Sequence, residues 1–550
     1  MSFQPSSFQE KIFDWIKSAE QRLNTSRTLV VQAKPGSGKT TTLVQGSQYI
    51  RDKSSAIFVA FNKHIAEELQ EKLPLGMSAR TIHSLGYQAI GDYFGRRPRV
   101  KGNLHRTFIN EWVSSKRYEL NLDSDSEKDL KDEIKALLNL CQLSLIDPYD
   151  ENAVWDGVRH YGINIGFDIH PAIDAVRNIL SRIRREARKH IGYNEMVWLP
   201  IVENMPLPRY KAVLADESQD FNRLQQNFLY RIIAHDGYGI FVGDENQALY
   251  GFAMASTSGM ADIVAERSAD TLPLSICYRC PTSHIALANE IYAGMEARHN
   301  APEGEIWDIN DHDVGDHISK GDLVLCRVNA PLIPLCFQLI REGINAQIKG
   351  RDIGQSLIKD IRKISKHYSI DWDNAQAALN QYKRDEEQRI MKTFDDEEDA
   401  IMAIERLTDK VGCLIAIWEG SGCDSLSCIE DTIERLFADK DAAIWLSTIH
   451  KAKGLEAWRV FILKPSIMPH PKARKDWEIV QEHNMMYVAY TRSMAKLFFC
   501  WEEKEDGRPK EMGLRNAAKH VDISLPAMSA DEELDLPIFS EESEQFHLAI

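Results

Sequence analysis

Short runs of β-branched and apolar residues punctuate a largely polar chain. They fall at 28–32 (TLVVQ), 56–61 (AIFVAF), 211–215 (KAVLA), 239–243 (GIFVG), 322–326 (DLVLC), 443–448 (AIWLST) and 459–463 (RVFIL). Helix-like patterns separate several of them, and this alternation predicts an α/β fold with parallel sheets. Two long intervals, 85–195 and 356–440, lack strong strand signals and read as mainly helical, charged insertions. The end of the chain, 511–550, is poor in pattern and rich in Ser, Asp and Glu, which predicts a disordered acidic tail. No repeat of fixed period is present.

The first apolar run opens directly into TLVVQAKPGSGKTTTL, a strand, a Gly-rich turn and a helix start. Backbone amides of such a turn point at phosphate oxygens, and the helix N-terminus adds positive potential. The loop of Ala33, Lys34, Pro35, Gly36, Ser37, Gly38, Lys39 and Thr40 is therefore expected to bind a nucleoside triphosphate. Lys39 would neutralise the outer phosphates, and the Thr40 hydroxyl would ligate Mg²⁺. Ala33 stands where the usual pattern has glycine. YKAVLADESQD is an apolar strand ending in Asp216 and Glu217. Asp216 is the expected second metal ligand, and Glu217 is placed to orient or deprotonate water. In GIFVGDENQALYGF, Gln247 is a candidate γ-phosphate sensor, and Tyr250 and Phe252 are candidate rings for stacking bases.

Size and charge narrow the setting. At roughly 150 residues per domain, 550 residues suggest three or four folding units. Hydrophobic content of 43% and charged content of 27% describe an ordinary globular chain. No apolar stretch approaches a membrane span, and the N-terminal segment lacks a signal-peptide layout, so a cytoplasmic location is expected: nucleoid-associated, or a host cytoplasm for a phage protein. The net charge of −16 argues against an all-basic surface, although a local groove can still hold a single strand. Nine scattered cysteines are expected to be free thiols. Cys277 and Cys280 form a C-x-x-C with no second pair at zinc-ligand spacing.

Taken together, these motifs resemble a superfamily 1 helicase of the UvrD/Rep/PcrA type, in the family's order from Gln9 to Arg492. AFNKHIAEEL, CYRCP and STIHKAKGLEAWRVFIL are similar to a compact, phage-type branch and, more distantly, to the F-box helicases. The resemblance implies two tandem RecA-like motor domains. The first spans 1–84 and 196–275 around the insertion 85–195; the second spans 276–355 and 441–510 around the insertion 356–440. It also implies that Gln9 reads adenine, that Tyr278 stacks near the base, that Arg279 reaches the γ-phosphate and that Glu456 lies near the ribose. Arg492 resembles the arginine finger. Phe61, Asn62, Thr81, His83, Arg327, Asn329, Thr448, His450 and Lys453 match DNA-facing motifs. Thr41 and Ala253 stand where relatives carry arginine, which loosens base selection and removes one DNA or coupling contact.

The implied activity is ATP-dependent 3′-to-5′ translocation and unwinding on single-stranded or forked DNA, with Mg²⁺, in replication, recombination or repair, with a monomer as the basic motor unit. Two alternatives remain: a translocase that strips proteins with little unwinding, and the motor subunit of a nuclease or phage-defence complex. In the tail, EELDLPIF at 532–539 resembles a sliding-clamp-binding peptide.

Overall fold

The computed structural model describes residues 3–22, 26–163, 165, 169–249, 259–368, 370, 372, 375–393, 397–438, 442–471, 473, 476–502 and 512–514. Tyr250, Phe252, Ala253 and the clamp-like segment 532–539 lie outside them. The fold is α/β, with two parallel sheets of the tandem RecA-like kind.

The first sheet contains β1 (Thr28–Ala33), β2 (Ala56–Ala60), β3 (Ser78–Thr81), β4 (Tyr210–Ala215), β5 (Ile233–Gly243) and β6 (Asp270–Leu274). Their order is β3-β2-β4-β5-β1-β6, and every pairing is parallel. Both faces are covered, which is why the central strands read as continuous apolar runs. Leu29, Val31, Phe58, Leu214 and Ile240 pack against the helices Ser7–Ala19 and Lys39–Ser47. Val30, Ile57, Val59, Val213 and Phe241 face the other way, into a core shared with the first insertion.

That insertion is helical, with helices Leu104–Lys116, Ser124–Leu143, Glu151–Tyr161 and Ile169–Glu186. It leaves the sheet on the helix Ile82–Phe94 and returns on Glu195–Val202. The two helices cross at Gly86, where an added Cβ would stand 1.9 Å from the Met196 carbonyl oxygen. Only a glycine admits so close an approach.

The second sheet contains β7 (Glu305–Asn310), β8 (Leu323–Cys326), β9 (Ala346–Ile348), β10 (Ile444–Thr448), β11 (Ala457–Leu463), β12 (Ser493–Trp501) and β13 (Gly513–Leu514). The order is β9-β10-β8-β11-β12-β7-β13, parallel except for the last pair. Phe461 of β11 stacks on Phe498 of β12 with ring centroids 4.4 Å apart. The second insertion supplies helices Arg351–His367, Ala375–Thr393, Glu397–Ser421 and Leu426–Leu436, whose buried side chains join this sheet's core.

One expectation needs correction. Cys423 and Cys428 are joined as a disulfide, with Cα atoms 5.5 Å apart. The turn before the helix Leu426–Leu436 brings together two thiols that sequence spacing alone left free. The other seven cysteines are free and buried. Among the described residues, no helix is long and apolar enough to cross a membrane.

Candidate functional site

The phosphate loop hangs from the carboxyl end of β1. Lys34 N–H donates to the Leu274 carbonyl of β6 at 2.9 Å, which fastens the start of the loop to the sheet. Gly36 and Gly38 have φ of +66° and +78°, the left-handed region that suits glycine. At Gly36 space is short as well: a Cβ would lie 2.6 Å from Arg279 Cβ and 2.9 Å from Cys277 Sγ. The helix Lys39–Ser47 starts at once, and Gly38 before it has no capping side chain, so the first amides stay available to an anion. The Ser37 hydroxyl is buried with no hydrogen-bond partner. An orphaned donor, two left-handed glycines and an uncapped helix start fit a phosphate group.

Acids close the other side. β4 ends at Ala215, and Asp216 and Glu217 follow it. Thr40 Oγ1 donates to Asp216 Oδ2 at 2.5 Å, and Lys39 Nζ to Glu217 Oε2 at 2.9 Å. Burial and the adjacent Glu217 charge raise the Asp216 carboxyl above its ordinary value. Burial also opposes ionisation of Glu217, but Lys39 and Lys453 hold it well below the usual carboxylate range. Asp216 is thus an acid short of positive charge beside a threonine hydroxyl, a donor set that fits a divalent cation. Glu217 stays ionised, as a base must.

A relay of amides leads out of this cluster. Gln219 Nε2 donates to Glu217 Oε2 at 2.7 Å, and Asp244 N–H donates to Gln219 Oε1 at 3.0 Å. Gln247, beyond the end of β5, donates to Asp244 Oδ2 at 2.7 Å. Its carbonyl oxygen accepts from Arg492 Nη2 at 3.0 Å, which crosses from the first sheet's loops to the second's.

The facing wall is basic. Arg492 stands just before β12, buried, with its Nε on the Val488 carbonyl at 3.0 Å. Burial, then the nearby Arg279 charge, lowers its guanidinium to about 10. Arg279 bonds Glu456 through Nε at 2.5 Å and the Thr491 carbonyl at 3.3 Å. Tyr278 N–H donates to the Gly36 carbonyl at 2.8 Å, and its ring is 41% exposed. Gln9 completes the site: its Nε2 donates to Thr42 Oγ1 at 2.9 Å, and its carbonyl accepts from Ser6 N–H in a capping box. Thr41, one position earlier on that helix, is exposed.

The residues matched to DNA-facing motifs lie at the carboxyl edges of parallel strands, where α/β sheets bind ligands. Phe61 follows β2 and is 43% exposed, and the Asn62 side chain caps the next helix. Thr81 ends β3 and caps the helix carrying His83, whose imidazole burial lowers its pKa. Thr448 ends β10. His450 follows it, and burial, with Arg327, Arg406 and Lys451 nearby, drops it to about 4, so it is a neutral hydrogen-bonding group.

Three of these side chains are engaged inside the protein. Arg327, after β8, forms a forked pair with the buried Glu482, at 3.0 Å and 2.5 Å. Asn329 Nδ2 donates to Asp409 at 3.1 Å. Lys453 reaches the buried Asp220 and the Gln247 carbonyl, joining the two halves of the molecule. Sequence reasoning did not single out Gln219, Asp220, Asp244, Asp409, Glu482 or Asn484. Asp220 lay inside the quoted acidic motif, but nothing in the sequence distinguishes its inward direction. Asn484, which donates to the Ala248 carbonyl at 2.9 Å, lies on the helix Asp476–Tyr490 that leads to Arg492.

Residues 17–253 match a family model described as an AAA domain, and residues 443–500 match the UvrD-like helicase C-terminal domain. F-box DNA helicase protein 1 of Schizosaccharomyces pombe is 22% identical over 531 residues, covering 87% of this chain and 56% of the relative. DNA helicase II of Haemophilus influenzae is 22% identical over 49% of this chain and 39% of its own. For the ATP-dependent DNA helicase PcrA of Staphylococcus aureus, the figures are 22%, 54% and 41%. The chain spans about half the length of the curated relatives it matches. The AAA-domain model falls on the first sheet and the helicase C-terminal model on the second, and together with these relatives they support a superfamily 1 helicase of the UvrD-like kind.

Proposed function

We propose that the protein is an ATP-driven motor that moves 3′-to-5′ on single-stranded DNA and unwinds duplex ahead of it. One observation carries the motor reading: Lys39, Thr40, Asp216 and Glu217 of the first lobe face Arg279 and Arg492 of the second, with Gln247 between them, while the 3′-to-5′ direction rests on the family resemblance. Such a split site changes when its substrate changes. A triphosphate attracts both walls, and its conversion to a diphosphate weakens that attraction. A two-state element of this kind turns ligand chemistry into relative motion.

In this reading, the motor domains are 1–84 with 196–275 and 276–355 with 441–510, and the helical intervals between them are insertions. The phosphate loop from Ala33 to Thr40 holds the triphosphate, Gln9 and Tyr278 hold the base, and Glu456 lies at the ribose. Thr40 and Asp216 would hold Mg²⁺, which when bound supplies charge neutralisation for the phosphates. Glu217 accepts a proton from the attacking water. Arg279 and Arg492 offset negative charge at the γ-phosphate, and Gln247 reports its presence to Lys453 and Arg492. Phe61, Thr81, His83 and His450, at the strand edges, form the track for the DNA strand.

The test is steady-state ATP hydrolysis with and without single-stranded DNA. The wild type should be stimulated by DNA, and Lys39→Ala should lose at least about 10²-fold, as preorganised charge at a reacting centre is worth. Full turnover in the variant would overturn the reading. Polarity is tested separately: a duplex with only a 3′ overhang should unwind faster than one with only a 5′ overhang, and the reverse order removes the 3′-to-5′ assignment.

A further inference from the structure

Cys277 and Cys280 have no role in the scheme above, although they enclose two of its side chains, Tyr278 and Arg279. Cys277 ends the short strand Ile276–Cys277, and Cys280 lies just before the helix Thr282–Ile291. Both are buried. Cys280 N–H donates to Cys277 Sγ at 3.3 Å. Cys280 Sγ donates onward to the Thr491 carbonyl at 3.5 Å, immediately before Arg492. On its other side, Cys277 Sγ lies against the phosphate loop at Gly36. The pair is thus wedged between the loop and the arginines that face it.

Its surroundings differ from those of the other free thiols. Burial pushes Cys141, Cys326 and Cys336 up to about 12, and Cys413 and Cys500 well above their ordinary value. Cys277 moves the other way, because the adjacent Cys280 thiol, two backbone N–H groups and the Arg279 charge favour its anion. Reactive cysteines sit in such electropositive settings, and the thiolate is the nucleophile.

We propose that Cys277 and Cys280 form an oxidisable dithiol that a peroxide closes to an intramolecular disulfide, and that closure slows nucleotide turnover. The Cys277 thiolate attacks one peroxide oxygen. The O–O bond breaks, the departing hydroxide takes a proton as water, and Cys277 becomes a sulfenic acid. The Cys280 sulfur then attacks the Cys277 sulfur, the S–S bond forms, the S–O bond breaks and a second water leaves. Two thiols lose two electrons, and the peroxide gains them. After closure, Cys280 has no S–H to donate to the Thr491 carbonyl. Tyr278 and Arg279 become part of a covalent ring, with the Tyr278–Gly36 and Arg279–Glu456 bonds on its rim. The loss of turnover rests on the ATPase reading; the oxidation itself does not.

The experiment treats the reduced full-length protein with hydrogen peroxide, removes the excess with catalase and divides the sample. One portion is alkylated and digested so that both cysteines stay on one peptide, whose mass is measured. The other is assayed for DNA-stimulated ATP hydrolysis. The expected result is a peptide lighter by two hydrogens, turnover lowered several-fold, and both reversed by dithiothreitol. Cys280→Ser should instead trap oxygen at Cys277 without the disulfide, and replacing Cys423 and Cys428 by Ser should leave the response intact. Absence of the Cys277–Cys280 disulfide in the wild type overturns the proposal, as does its formation without any change in turnover. A reduced protein with no ATP hydrolysis would sink the motor reading alone, because the peptide mass would still report the dithiol.

Discussion

The two walls of the cleft carry opposite charge. The first lobe gathers the buried Asp216, Asp220 and Asp244 and the half-buried Glu217 around Lys39. The second presents Arg279, Arg492 and Lys453 with one acid, Glu456. Neither wall is balanced alone. Each is stabilised by what reaches it from the other side: Lys453 on Asp220 and on the Gln247 carbonyl, and Arg492 on the Gln247 side chain. The difference teaches what each wall lacks. Asp216, next to the Glu217 charge, suits a cation, and Arg492, whose hydrogen bonds go to neutral oxygens, suits a phosphate, so one complex of the two would serve both.

The sharpest way to break this comparison is Arg492→Ala. If the walls share one site, DNA-stimulated turnover should fall by about 10³-fold or more, the worth of an arginine at a transferring phosphoryl group. A fall of less than about tenfold would assign the basic wall to something other than hydrolysis. Next comes Lys453→Ala, which leaves Asp220 buried without its cation. The expected loss is about 3–5 kcal/mol of stability, read from the denaturant midpoint. An unchanged midpoint would show that the ion pair does not hold the lobes together.

The smallest effect is in pH. Burial outweighs the attraction of Lys453 and pushes Asp220 up to about 6 from 3.8. The folded protein therefore binds this proton more tightly than the unfolded chain. Stability from this group is present below pH 3.8, declines as pH rises through the window to about 6, and is flat above it. The full change is on the order of 3 kcal/mol. Asp220→Asn should flatten that part of the stability–pH profile, and a profile identical to wild type would contradict the assignment.

Much of the first wall could be read directly from the chain, because a single turn carries it. Ala33 to Thr40 are consecutive, and their strand, β1, is buried on both faces and so announces itself as an unbroken apolar run. The same holds for β2, β4 and β5. The edge strands were silent for the opposite reason: β3 is only half-buried along its length, and β6 alternates with exposed positions and holds a proline. β12 was hidden differently. Its buried LFFC follows four mixed residues and only a two-residue turn after the helix Asp476–Tyr490, so the helical pattern masks its start.

The second wall was reached through resemblance rather than periodicity. Its direct contacts join residues far apart in sequence: Lys453 with Asp220, and Arg327 with Glu482. No local pattern encodes which acid meets which base. The Cys423–Cys428 link has the same character on a smaller scale, since the turn between them decides it.

The register of β7 against β12 also governs how the molecule comes into being. Glu305 pairs with Lys496, and Asn310 with Trp501. A ribosome delivers these partners about 190 residues apart, roughly 10–40 s at ordinary elongation rates. The first sheet has all its strands once Leu274 has emerged, whereas β7 waits for β12 with an open edge. Every newly made copy therefore passes through a stage that owns a phosphate loop and its acids but no Arg492. Translation itself thus delays the complete two-walled cleft until its last strands are in place.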